Sequence, residues 1–123
     1  MQNAASTSDE DFVFLEPLGI ERTLATIEIV CTPYFGISNY PEISDKAAAI
    51  LYFLIIDHYM VDGNKRFAMF VTEYFLQKNG YELKIDRDEY IFIAIVISCS
   101  KSRPLLDKLR DYFAITVTPL SIN

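Results

Sequence analysis

His58, Asp62, Gly63, Asn64, Lys65 and Arg66 are the residues whose types and spacing could do chemistry in this chain. They lie in one stretch, His58-Tyr59-Met60-Val61-Asp62-Gly63-Asn64-Lys65-Arg66, between two apolar-periodic segments. His58 is the only histidine and suits a general base near neutral pH. A helix start beyond Gly63 would offer free backbone N–H groups and partial positive charge, and the glycine would let a phosphate approach the backbone. Asn64 can add side-chain hydrogen bonds there. Arg66 supplies a planar fork for phosphate oxygens and Lys65 a mobile point charge. Asp62 would repel a phosphate unless a hard cation such as Mg²⁺ lay between them. The chemistry implied is attack of a hydroxyl on an activated phosphorus, with the imidazole taking the proton.

Each part has a plainer reading. Asp-Gly-Asn alone is an ordinary turn between helices, and a lone histidine is more often a satisfied core residue. The cations tell against the plain reading. Two of them in the first turn of a helix oppose its macrodipole, at about 0.3–1 kcal/mol each, so structure alone does not favour them.

The elements that must position these residues are mainly helical. Ile20, Leu24, Ile27 and Cys31 recur at helical spacing, and Pro33 ends that helix. Residues 34–41, Tyr-Phe-Gly-Ile-Ser-Asn-Tyr-Pro, read as a short hairpin or an exposed extended loop. Ser44 is expected to cap a helix over 45–57. Every residue from 47 to 56 is apolar, so that helix should be buried all round, at the centre of the domain. A second helix starts near Asn64 with Phe67, Phe70, Val71, Tyr74 and Phe75 as its core stripe, and stops at Asn79-Gly80. Residues 90–97 could form a strand; Asp86 and Glu89, spaced as a capping box, favour a helix. Pro104 is expected in the first turn of a last helix carrying Leu105, Leu106, Leu109, Tyr112 and Phe113.

With 123 residues, 51% of them apolar, the chain suits one compact domain burying roughly two-thirds of its unfolded surface. A net charge of −6 argues against a nucleic-acid groove, so any polyanion must be held by a few convergent groups. Cys31 and Cys99 lack the spacing of a disulfide framework or a zinc site. The apolar runs 47–56 and 90–97 are too short to span a bilayer, and the polar, acidic start is unlike a signal peptide. A cytoplasmic location follows as the expectation. Residues 1–11 read as a disordered acidic leader, 12–115 as the domain and 116–123 as a C-terminal tail.

The central stretch resembles the signature of the Fic/Doc (Fido) family, His-x-Phe-x-Asp/Glu-Gly-Asn-Gly/Lys-Arg. The flanks resemble it too, in Tyr40-Pro41, Lys46-Ala47-Ala48, Phe75-Leu76 and Asn79-Gly80-Tyr81, so the similarity covers roughly residues 20–113. The resemblance implies an all-α domain with a central buried helix, an active-site loop at a helix N-terminus and a small β-hairpin flap. It makes His58 the catalytic base, with Arg66 also catalytic, and Asp62 the magnesium ligand. Gly63, Asn64, Lys65 and Arg66 become the nucleotide-binding loop. Tyr34, Phe35, Gly36, Ile37, Ser38 and Asn39 become the flap that pairs with an extended target segment. ATP is the implied co-substrate, with Mg²⁺.

Two departures select a branch. The AMP-transferring members carry Gly where this chain has Lys65, and a second Arg where it has Met69. Both changes resemble the Doc branch of toxin–antitoxin toxins, which implies phosphate transfer to a hydroxyl of a protein in the translation machinery, typified by elongation factor Tu. Gly63 is shared with the AMP-transferring motif and keeps protein adenylyl transfer as the alternative. Tyr59 and Met60 replace the usual Pro and Phe, which keeps a non-catalytic binding module as a third. Ser6 and Glu10 have the spacing of the family's inhibitory motif, but Asp11 follows where Gly or Asn is required. Inhibition is therefore expected from an antitoxin partner in trans.

Overall fold

The computed structural model of the protein describes residues 13–14, 19–57, 60–62 and 64–121, and for 13–14, 60–62 and 64 it describes the backbone. The leader 1–11, His58 and Gly63 lie outside the described residues. The elements run β1 (Val13–Phe14), α1 (Gly19–Cys31), α2 (Ile43–Asp57), β2 (Met60–Asp62), α3 (Asn64–Lys78), β3 (Tyr81–Leu83), α4 (Arg87–Ser98), α5 (Leu106–Thr116) and β4 (Val117–Pro119).

α2 is the central helix, as its unbroken apolar run requires. Ala47, Ala48, Ala49, Ile50, Leu51 and Ile55 are wholly buried, and α1, α3, α4 and α5 all pack against it. Three consecutive alanines leave no bulk to hold the neighbouring helices off. The helix starts at Ile43, so Ser44 lies inside its first turn and is not the cap. Glu42 takes that place, its carbonyl accepting the Lys46 amide at 3.0 Å. The Asp45 carboxylate reaches back to accept the Glu42 N–H at 3.2 Å, half of a capping box.

α1 and α3 are helices as expected, but both are rotated from the expected faces. On α1 the buried residues are Gly19, Thr23, Thr26 and Val30, while Ile20 and Leu24 face solvent. The threonine hydroxyls donate to the carbonyls of Gly19 and Arg22, at 2.9 and 3.0 Å. Satisfied within their own helix, they can be buried without the desolvation penalty of an unpaired polar group. On α3 the inward residues are Ala68, Met69, Thr72 and Leu76. Phe67, Val71 and Phe75 are half-buried, whereas Phe70 and Tyr74 are 55% and 52% exposed. Small residues at 68 and 72 let α3 sit close on α2, and the large rings are turned out. Phe70 and Tyr74 stack on each other, centroids 6.1 Å apart, and the Lys78 ammonium lies 5.4 Å from the Tyr74 centroid.

Residues 90–97 belong to a helix, α4, with Tyr90, Ala94 and Ile97 buried. The capping box does not form. Asp86 stands at the N-cap without a side-chain cap bond, and the Glu89 carboxylate accepts the Tyr112 hydroxyl of α5. Pro104 precedes α5 instead of opening it, and its carbonyl accepts the Tyr52 hydroxyl at 2.7 Å. Leu109 and Phe113 are buried as expected, but Leu105, at the N-cap, is exposed. Gly80, at φ 86°, ends α3 in the left-handed region. It leads into β3, which pairs antiparallel with β4, Tyr81 opposite Pro119 and Leu83 opposite Val117. A second antiparallel pair joins β1 to β2, Val13 opposite Asp62 and Phe14 opposite Met60. Cys31 and Cys99 are free thiols. Among the described residues no helix is long and apolar enough to cross a membrane.

Candidate active site

α2 fixes both candidate parts, the flap entering its N-terminus and the catalytic stretch leaving its C-terminus. Asp62 is the last residue of β2, and its backbone is held in register by Val13. Asn64 is the first residue of α3. Lys65 and Arg66 follow in the first turn, both exposed, and that turn holds no acidic residue. Neither cation enters an ion pair with a described residue. The helix start therefore carries its own partial charge and two formal ones within a chain of net −6. That concentration of positive charge is what an anion site requires and what a merely structural helix start avoids.

Arg66 also faces a hollow of about 310 Å³ between α3 and α4, with Met69, Phe70, Glu73, Arg87 and Ile91 as its other walls. Met69 is buried there. Arg87 comes from α4 and donates through Nη2 to Glu73 Oε2 at 3.2 Å. Sequence reasoning misses both: Glu73 shares α3 with Arg66, and Arg87 is brought beside it by the packing of α4 on α3. Glu73, directly before the Tyr74–Lys78 pair, reads in sequence as part of a solvated helix face.

The flap residues form a hairpin of minimal size. Tyr34 and Ile37 exchange two backbone hydrogen bonds, each 2.9 Å. Phe35 and Gly36 between them lie at φ 53° and 76°, the two left-handed positions of a type I′ turn. Gly36 meets that requirement at no cost. Phe35 does not, and its ring stands fully in solvent, flanked by the exposed Tyr34 and Ile37. The root of the flap is tied down. Ser38 Oγ accepts the Tyr40 amide at 3.3 Å, and the Lys46 ammonium donates to the carbonyls of Tyr40 and Pro41. Arg110 of α5 donates to Asp45 at 3.1 Å and to the Asn39 carbonyl at 3.4 Å, and lies over the Tyr40 ring. The hairpin thus has a strained apolar tip on a braced root.

Residues 9–76 match the model of the Fic/DOC family. The chain is also 46% identical over 54 residues to a protein named Toxin Doc from Mycolicibacterium smegmatis, a stretch covering 44% of this chain and 42% of that protein. It thus spans less than half the length of that relative. No solved structure gives a significant match. The Doc relative supports the branch to which Lys65 and Met69 point. With residues 9–76, more than half of its length, inside the family match, the chain belongs to the Fic/DOC family.

Proposed function

We propose that the chain is a Doc-like, toxin-type transferase that moves the γ-phosphate of ATP to a hydroxyl of a target protein. The observation that carries this reading is the start of α3, where two exposed cations crowd a helix N-terminus. In the proposed reaction His58 takes the proton of the target hydroxyl as its oxygen attacks the γ-phosphorus. The bond from that phosphorus to the β,γ-bridging oxygen breaks, and ADP leaves. Gly63, Asn64, Lys65 and Arg66 hold the phosphate chain and counter the charge that builds on the leaving oxygen. Asp62 would hold a Mg²⁺ ion, a hard cation suited to an oxygen ligand such as its carboxylate. Bound there, the ion would screen the carboxylate from the phosphates and polarise the transferred group.

The exposed tip of the flap supports an extended protein segment as the acceptor, through backbone pairing beside Tyr34 and Ile37. The similarity to a Doc toxin supports a target in the translation machinery, action in the cytoplasm and a partner antitoxin. ATP labelled on the α- or the γ-phosphate tests the chemistry. The γ label is expected on protein; transfer of the α label would instead establish adenylyl transfer, which Gly63 favours. A binding module without chemistry is separated by growth. Expression of the chain is expected to slow growth relative to a His58→Ala version in cells lacking an antitoxin, and equal growth in a host with a susceptible target would favour the module.

A further inference from the structure

α4 has the composition of a helix enclosed on every side. From Tyr90 to Ile97 every residue is apolar, the pattern that α2 carries from Ala47 to Ile56. α2 is walled in by four helices, whereas α4 packs mainly inward, on α2 and α3. Among the described residues nothing covers its outer face: Ile91, Phe92 and Ile95 are 40%, 64% and 48% exposed. A helix that is apolar all round is normally buried all round, so this ridge calls for a cover. Beside it, between α4 and α5, runs a hollow of about 270 Å³ walled by Phe92, Ile93, Val96, Pro104, Leu109 and Tyr112. One surface thus presents a projecting apolar ridge and an apolar recess. Those are the two features that identical chains exchange in a self-complementary contact.

The charges at the two ends of α4 decide which way a second copy lies. Asp86, Asp88 and Glu89 stand at its N-terminal end, and Lys101 and Arg103 lie just past its C-terminal end. That basic turn is folded back on the helix. Ser102 Oγ donates to the Val96 carbonyl at 2.9 Å, and Arg103 Nε to the Ile97 carbonyl at 2.7 Å. Glu89 is taken by the Tyr112 hydroxyl. Asp88 and Lys101 are exposed and enter no ion pair with a described residue. Each suits the dipole of its own helix. Two parallel copies would set acid against acid and base against base. Two antiparallel copies set Asp88 of each chain against Lys101 of the other, which is the complementary arrangement. Ile95 stands near the midpoint between those two residues, so an antiparallel pair brings it to the two-fold axis.

We propose that α4 is the interface of a homodimer, two copies packing antiparallel about an axis at Ile95 with Asp88 of each paired to Lys101 of the other. The proposal is independent of the transferase reading. Sedimentation equilibrium of the full chain under reducing conditions, from micromolar to millimolar protein, tests it. Twice the single-chain mass is expected at the upper end, falling toward one chain on dilution. Ile95→Lys changes an exposed position and should leave the helical circular dichroism unchanged. It should weaken the dimer at least about thirty-fold, the scale of a central interface residue. Asp88→Lys should weaken it by about five-fold or more, because the symmetry repeats the lost pair. Combining Asp88→Lys with Lys101→Asp should restore the dimer, since the exchanged charges again face each other across the axis. A single-chain mass at every concentration overturns the proposal, and another occupant then covers α4. A dimer that survives Ile95→Lys lies on a different face and overturns it too. A dimer weakened by Asp88→Lys and not regained in the double variant rules out the antiparallel pairing.

Discussion

At the scale of residues, the proposed chemistry demands particular side chains at fixed spacing. A base, a carboxylate and a Gly-Asn-Lys-Arg run cannot be shuffled and still hold a polyphosphate, so the run can be read before any fold is known. Arg66 carries a sharp prediction. Replacing its planar fork by a point charge in Arg66→Lys removes a charge-assisted hydrogen bond of about 1.5 kcal/mol, so the KM for ATP should rise about ten-fold. Its exposure means Tm should stay put. Steady-state kinetics showing unchanged KM and turnover would remove Arg66 from the site. Asp62→Ala should abolish magnesium-dependent transfer without unfolding the chain, since β2 contributes its backbone to the pairing with β1. Transfer that persists in that variant without added metal would show the ion is held elsewhere. What sequence spacing could not supply is Arg87, which lines one hollow with Arg66 only because α4 packs on α3.

At the scale of elements, the sequence marked where helices run better than which face they bury. Ile20 and Leu24 on α1, and Phe70 and Tyr74 on α3, have the periodicity of a core stripe, yet all four are exposed. The competing rule is proximity to α2: against an alanine-rich helix, the small residues Thr23, Thr26, Ala68 and Thr72 pack closer than aromatic or branched ones. The sheets were missed for a different reason. β3 follows Gly80 with the alternating run Tyr81-Glu82-Leu83-Lys84-Ile85, a period-two signal too short to stand alone, and its partner β4 is distant in sequence. The flap, by contrast, resolved to the hairpin alternative because Tyr34 and Ile37 close a two-residue turn. Phe35 is the wrong residue for that turn on stability grounds, since a side chain in the left-handed region costs about 1 kcal/mol. Phe35→Asn, which suits a type I′ turn, should therefore raise stability by up to about 1 kcal/mol in urea unfolding. It should also lower transfer to a protein acceptor while leaving ATP binding alone. Loss of stability, or undiminished transfer, would mean that Phe35 is kept for something other than presentation.

At the scale of the molecule, α4 is the element through which packing and site communicate, and two tyrosines fasten it. Tyr90 reaches across to the Met69 carbonyl, and Tyr112 of α5 donates to Glu89. Burial, reinforced by the nearby Glu73 carboxylate, raises the pKa of Tyr90 far above its ordinary value. The hydrogen bond to Glu89, with burial adding, pushes Tyr112 up to about 12. Both shifts are upward, so the stability these groups contribute is complete below the unfolded tyrosine pKa of about 10 and is lost as pH rises beyond it. For Tyr112 the loss is complete once pH passes about 12, and because that ring lies near the surface its share is small. Tyr90 dominates: the unfolded chain releases its proton first, which costs the fold up to about 1.4 kcal/mol per pH unit above that point. Denaturant unfolding at a series of pH values from 9 upward should show this fall in the native chain and a shallower one, by about that slope, in Tyr90→Phe. The phenylalanine ring fills the same space, so the variant should fold at neutral pH. Equal slopes would mean that α4 is not held to α3 by a neutral buried phenol.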